Sequence, residues 1–249
     1  MKRFSLICLI YLGGFCSLSA QFADQFNAWW MYFGNHKLTE KLSLHTEYQW
    51  RRSGLVSEWQ QSLLRFGLDV KVADKTTLTG GYGWIVSFPY GEQPISTKFA
   101  EHRLFEQLVL TGGAGRFGFN HRYRLEQRWL ENATINDLGE RVTDGFRFKN
   151  RARYRFLVTY PLSKPRMEDG TVFLAAYDEI FLGFGNGIVK NILDQNRLYF
   201  ALGYRVNKNF NAQLGYLNHR VIKSDGLRQE NNHTLQTSLT YNLDFSKKE

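Results

Sequence analysis

The chain has 249 residues, a formal net charge of +9, 16% aromatic residues, 22 glycines and four prolines. That length allows one large β-domain or two small domains. A mean hydropathy of −0.40 gives no support to a bundle of membrane-spanning helices, yet it is compatible with lipid-spanning strands, in which lipid-facing and lumen-facing residues alternate and cancel in the average.

The first segment reads as a cleaved secretory signal, residues 1–20. Lys2 and Arg3 form a basic start, Phe4 to Phe15 a short apolar run, and Ser17-Leu18-Ser19-Ala20 small residues before a cut at Gln21. The run is too short to cross a bilayer as a helix, which needs roughly 20 apolar residues. The bulky Phe15 directly before Cys16 is wrong for lipidation. Both cysteines, Cys8 and Cys16, fall in this segment, so a thiol nucleophile, a disulfide framework and a Cys-based metal site are not expected in the rest. Loss of Lys2 and Arg3 lowers the net charge by two, to +7. An exported chain rarely meets nucleic acid, so the basic balance is not read as a nucleic-acid footprint.

Period-two alternation then runs almost to the end. A segment at 25–34 carries Trp29, Trp30, Tyr32 and Phe33. Leu42, Leu44, Thr46, Tyr48 and Trp50 alternate with Ser43, His45, Glu47, Gln49 and Arg51. Leu64, Phe66, Leu68, Val70 and Val72 alternate with Arg65, Gly67, Asp69 and Lys71, and Leu78, Tyr82, Trp84 and Val86 with Thr77, Thr79, Gly81 and Gly83. Phe117, Phe119, Tyr123, Leu125 and Trp129 oppose Arg122, Arg124, Glu126 and Arg128. The next run sets Phe146, Phe148, Tyr154 and Phe156 against Arg147, Lys149, Arg151, Arg153 and Arg155. Leu198, Phe200, Leu202 and Tyr204 alternate with Arg197, Gly203 and Arg205, and the last strand carries Leu235, Leu239, Tyr241, Leu243 and Phe245 on one face. Stretches near 99–111, 170–184 and 210–221 are less regular; in the first, the facing of Arg103, Glu106 and Gln107 is ambiguous, and elsewhere parity puts His121 on the apolar face.

Short turns near 35–40, 73–75, 112–115, 164–169 and 207–209 alternate with longer polar loops near 52–58, 89–98, 131–144, 185–194 and 223–232. Short periplasmic turns and longer outer loops are the pattern of an outer-membrane barrel. The expected fold is therefore a single all-β domain over 21–249, a closed antiparallel transmembrane β-barrel of 10–12 strands. Eleven candidate strands are read, and the even count of bacterial barrels argues for ten or twelve.

Three features favour lipid over a soluble barrel. The alternating runs last about 10 to 15 residues, against about 5–6 for a soluble strand. Aromatic residues gather at both ends of the apolar face: Trp50, Trp84, Phe88, Trp129, Phe146 and Phe184 beside the long loops, Phe117, Tyr160, Tyr204, Phe210 and Phe245 beside the short turns. The polar face mixes Arg with Gly, Arg65 with Gly67 and Arg205 with Gly203, as a narrow lumen needs if long side chains are to fit.

Glu101-His102-Arg103-Leu104, Arg124-Leu125-Glu126-Gln127-Arg128, Arg153-Tyr154-Arg155, Tyr177-Asp178-Glu179-Ile180-Phe181 and Gln195-Asn196-Arg197 resemble, in that order, the family called domain of unknown function 2490. The resemblance runs over nearly the whole chain after the signal. It implies an outer-membrane barrel of a Gram-negative bacterium, with outer-membrane lipid as its surroundings, and no activity or site residue.

The chemistry lies on the polar face. Arg65, Arg122, Arg124, Arg128, Arg147, Lys149, Arg151, Arg153, Arg155, Arg197 and Arg205, with Glu47, Asp69, Glu126 and Glu179 as partners, are expected to form a lumen charge network, since buried charge must be paired or hydrogen-bonded. The favoured reading is a structural or interaction barrel with a filled lumen. The alternatives are a narrow anion-selective path, with a small anionic ligand in the lumen, and an outer-membrane hydrolase. The histidines in or beside strands, His45, His102, His121, His219 and His233, come without G-x-S-x-G or H-E-x-x-H, so an enzyme, a metal site and a cofactor are not expected.

Overall fold

The computed structural model describes residues 21–246 apart from Gly187 and Val189; the signal segment and the last three residues lie outside the described residues. Eleven strands occur: β1 (Gln21–Lys37), β2 (Leu42–Ser53), β3 (Glu58–Ala73), β4 (Thr76–Ser87), β5 (Phe99–Ala114), β6 (Phe117–Ile135), β7 (Arg141–Pro161), β8 (Thr171–Phe184), β9 (Leu193–Arg205), β10 (Phe210–Ile222) and β11 (Arg228–Tyr241). Each pairs with its neighbour in sequence, and β1 meets β11 to close the barrel.

The even-count expectation is corrected. Hairpin connections make every sequential pair antiparallel, so an odd number of strands leaves a parallel closing pair. Here β1 runs parallel to β11, with Phe22 opposite Gln229 and Phe33 opposite Thr240. An even count follows only when both chain ends lie at one rim. In this barrel β1 starts at the long-loop rim, where the Phe26 carbonyl accepts a hydrogen bond from Gly54 N at 2.8 Å, and β11 ends at the short-turn rim.

Strand parity sorts the side chains as the alternation requires. On β3, Leu63, Arg65, Gly67 and Asp69 are buried in the lumen while Leu64, Phe66, Leu68 and Val70 are exposed outside. On β6, Arg124 and Glu126 are 2% and 0% exposed, whereas Leu125 between them is 47% exposed. Charge inside and a largely apolar belt outside invert the soluble arrangement and match a wall solvated by lipid. Rings band both edges of the belt. Trp30, Trp50, Trp59 and Phe88 form a chain of contacts at 4.9, 6.1 and 5.4 Å on the long-loop side. Phe117 meets Tyr160 at 4.9 Å and Phe210 meets Tyr241 at 6.2 Å on the short-turn side.

Two expectations about boundaries change. The segment 131–144 is not a long loop: β6 and β7 continue through most of it as a hairpin arm, with a register shift between Glu131 and Ala133 and a short turn at 136–140. Beyond the bilayer both faces of a strand meet water, so the alternation that marks a strand is lost. Phe245 lies past β11, which ends at Tyr241, although the chain keeps contact with β1 through a Lys37–Asp244 bridge and a Phe245 N to Lys37 O hydrogen bond at 2.8 Å.

Candidate functional site: the barrel lumen

Inward positions on β2 to β8 bring arginines and glutamates together. Glu126 on β6 is the hub. Its Oε2 accepts from Arg151 at 2.6 Å, and its Oε1 accepts from Arg153 at 2.7 Å and Arg103 at 3.4 Å and lies 3.7 Å from Arg65. Glu179 accepts from Arg122 at 2.6 Å and Arg153 at 2.7 Å, Glu101 from Arg103 at 2.6 Å and Arg128 at 2.8 Å, and Glu47 from Arg65 at 2.6 Å. Arg151 also reaches Asp194 at 2.9 Å. Charge-assisted guanidinium–carboxylate bonds are roughly twice as strong as neutral ones, and Arg128 grips both oxygens of Glu101 at 2.8 and 2.9 Å. Glycine makes them fit: a Cβ on Gly83 would stand 3.1 Å from Arg65 Cγ.

Across the lumen, beside the polar inward face of β11, lies an apolar cluster. Trp29 and Met31 of β1, Phe173 and Ala175 of β8, Tyr199 and Ala201 of β9 and Leu217 of β10 form one buried cluster, with Phe33, Leu157, Met167 and Tyr177 packed against it. Met167 comes from the segment joining β7 and β8, so that connection folds under the short-turn mouth, where Arg205 Nη1 donates to its carbonyl at 3.1 Å. Near the other mouth, the loop 88–98 bends inward instead of outward. Tyr90 donates to Glu230 of β11 at 3.0 Å, Lys223 pairs with Glu230, and Lys223 Nζ donates to the Gln93 carbonyl at 3.3 Å. Burial beside the Glu230 carboxylate pushes the Tyr90 phenol above its ordinary value. In the nearby β10–β11 turn, the Arg228 backbone N–H and guanidinium hold Asp225 down at about 2. Free space of about 480 Å³ remains among the lumen side chains.

The positions expected for the network divide as follows. Glu47, Arg65, Arg122, Glu126, Arg128, Arg151, Arg153 and Glu179 are joined by the ion pairs above. Arg124 and Arg197 are buried in the lumen but have no carboxylate within 4.0 Å among the described residues: Arg124 donates to Gln107 at 2.6 Å, and Arg197 lies over Trp29 and Phe181 at 5.0 and 4.7 Å. Arg155 is half-buried and bonds Asn120 at 3.3 Å. Lys149 is half-buried with no ion pair among the described residues. Three positions need correction. Asp69 faces His45 at 3.5 Å, Asn35 and Thr79 rather than an arginine. Arg147 is exposed on the hairpin arm, bonding the Glu131 carbonyl and Asn132. Arg205 sits at the short-turn rim, 3.7 Å from Asp169, and the room left by Gly203 is taken by the Phe173 ring.

The family described as "Protein of unknown function (DUF2490)" matches residues 26–244. The chain belongs to that family. No curated protein matches. Among solved structures the chain is similar to one described as the NanC porin in a rhombohedral crystal form, at 12% identity and a TM-score of 0.46, over 79% of this chain and 84% of that one.

In this DUF2490 member, Glu101, Arg103, Gln107, Asp194 and Glu230 belong to the lumen's polar arrangement although the alternation did not single them out. Glu101, Arg103 and Gln107 share an inward face with Phe105, while Glu106 points outward and accepts from Gln127 at 3.2 Å; the apolar ring among the polar residues hid the pattern. His121 is on the outer face, bonded to the Tyr154 hydroxyl at 2.9 Å, and His102 meets Tyr82 there at 2.5 Å. His219 is in the lumen, between Trp29 and Gln195. Among the described residues, no group of three or more His, Cys, Asp or Glu is placed to hold a metal ion.

Proposed function

We propose that this protein is an outer-membrane barrel of a Gram-negative bacterium with a structural or interaction role and a closed lumen, not a general diffusion pore. The observation that carries the reading is Glu126. Its carboxylate is fully buried, takes guanidinium groups from the flanking strands β5 and β7, and lies 3.7 Å from Arg65 of β3, three strands away, so paired charge fills that side of the space a solute would use. The apolar cluster on the facing sector and the two inward-folded connections support the same reading. An open pore would leave its arginines solvated and would select for anions. The exposed apolar belt between two aromatic bands supports the membrane location.

The test is osmotic swelling of liposomes reconstituted with the purified protein, in a small neutral sugar. Swelling no faster than in protein-free liposomes is expected. A rate comparable to that of an open trimeric porin at equal protein would contradict the proposal.

A further inference from the structure

The lumen glutamates Glu47, Glu101, Glu126 and Glu179 do not cover all of the lumen arginines, and a further one, Glu230, is paired with Lys223. Each of the first four is engaged by Arg65, Arg103, Arg122, Arg128, Arg151 or Arg153. Among the described residues, two further arginines of β6 and β7, Arg124 and Arg155, have no carboxylate within 4.0 Å.

These two converge with Arg122 in the short-turn half of the lumen. Arg122 and Arg155 are direct cross-strand partners, Arg124 is the next inward position on β6, and its cross-strand partner is Arg153. Like charges placed opposite one another on a sheet destabilise it. Glu179 pairs with Arg122 and Arg153; it is also the cross-strand partner of Arg155, but it has no contact within 4.0 Å with Arg155 or Arg124. Their remaining acceptors are neutral amides, Gln107 for Arg124 and Asn120 for Arg155.

Unfilled donors occupy the same patch. Arg122 Nε, Arg124 Nη1 and Arg155 Nε are buried with no acceptor among the described residues, and Arg124 is 2% exposed. A buried charged donor without an acceptor is costly. All three side chains line the 480 Å³ lumen space, so an acceptor has room beside them. Guanidinium forks bind a carboxylate or phosphate through paired N–H groups.

We propose that Arg122, Arg124 and Arg155 form a binding site for a small oxyanion, a carboxylate or a phosphate, whose oxygens take the three unfilled N–H groups and whose charge offsets the surplus. Tyr177, with its ring centroid 5.6 Å from the Arg155 guanidinium, forms a wall of the site. The site goes beyond a closed lumen: the barrel holds an anion in a fixed place and does not need to pass it.

The experiment is equilibrium dialysis of the detergent-purified full chain against labelled inorganic phosphate and, separately, labelled succinate, at low chloride. Folding of every variant is checked by the heat-dependent shift in gel mobility. Saturable binding of at least one probe is expected, with Arg155→Gln and Arg124→Gln each weakening it by about tenfold or more, and Arg147→Gln on the exposed arm leaving it unchanged. Arg155 is only half-buried, so its variant keeps the test usable if Arg124→Gln does not fold. Binding of phosphate alone, of succinate alone or of both assigns the class of anion. Failure of folded wild-type protein to bind either probe, or binding that Arg155→Gln leaves intact, would overturn the site.

Discussion

Removing the Glu126 carboxylate takes the shared acceptor from four guanidinium groups, each of which then keeps a single carboxylate: Glu47 for Arg65, Glu101 for Arg103, Asp194 for Arg151 and Glu179 for Arg153. Breaking a buried ion pair by deleting one partner costs about 3–5 kcal/mol, because the other charge stays buried and uncompensated. Because each arginine retains one carboxylate, Glu126→Ala is expected to lower stability by at most about that amount, read as an earlier urea midpoint for loss of the heat-shifted gel form. Unchanged stability would mean that water already solvates these arginines. Some of this arrangement was readable residue by residue. Arg65 beside glycine marked a crowded inward face, and Gly83 does make room for it. The same reasoning applied to Arg205 and Gly203 went astray, because that glycine accommodates Phe173. A glycine on an inward face records that something bulky lies opposite, and neighbours in sequence do not say whether it is a cation or a ring.

At the level of elements, the closing pair is the least conventional feature, and it can be tested directly. Met31 on β1 and Ser238 on β11 are register partners on the inward face. Met31→Cys with Ser238→Cys in one chain is expected to form a disulfide under mild oxidation, seen as altered mobility on non-reducing gels, and neither single variant should show it. Absence of the cross-link in folded protein would argue that another strand separates β1 from β11. Most strands were legible because lipid on one side and a charged lumen on the other impose a strict two-residue period. The reading weakened wherever one of those environments was missing. In the β6–β7 arm both faces meet water, so no apolar face remains to signal a strand. On β8 the inward Phe173 and Ala175 sit between the outward Val172, Leu174 and Ala176, so both faces are apolar and the period disappears. The lumen's apolar sector was hidden for that reason, as was the inward bend of loop 88–98, which rests on contacts with β11 far away in sequence.

Across the whole molecule, the charged sector, the apolar sector and the two folded-in connections occupy the interior that an open pore would leave to water. A barrel of eleven strands is only modestly wider than the eight-stranded type, whose side chains nearly fill it, and here the inward set includes many of the longest side chains in the chain. The fold fits a wall that spans lipid, and the interior fits a body that holds its own charge in place. Single-channel recording of the purified protein in a planar bilayer puts this to the most direct test. Absent or brief, low conductance is expected, with longer openings when Glu126→Ala releases the cross-links. A steady anion-selective conductance from the wild type, reduced by Arg151→Glu or Arg153→Glu, would contradict the closed lumen.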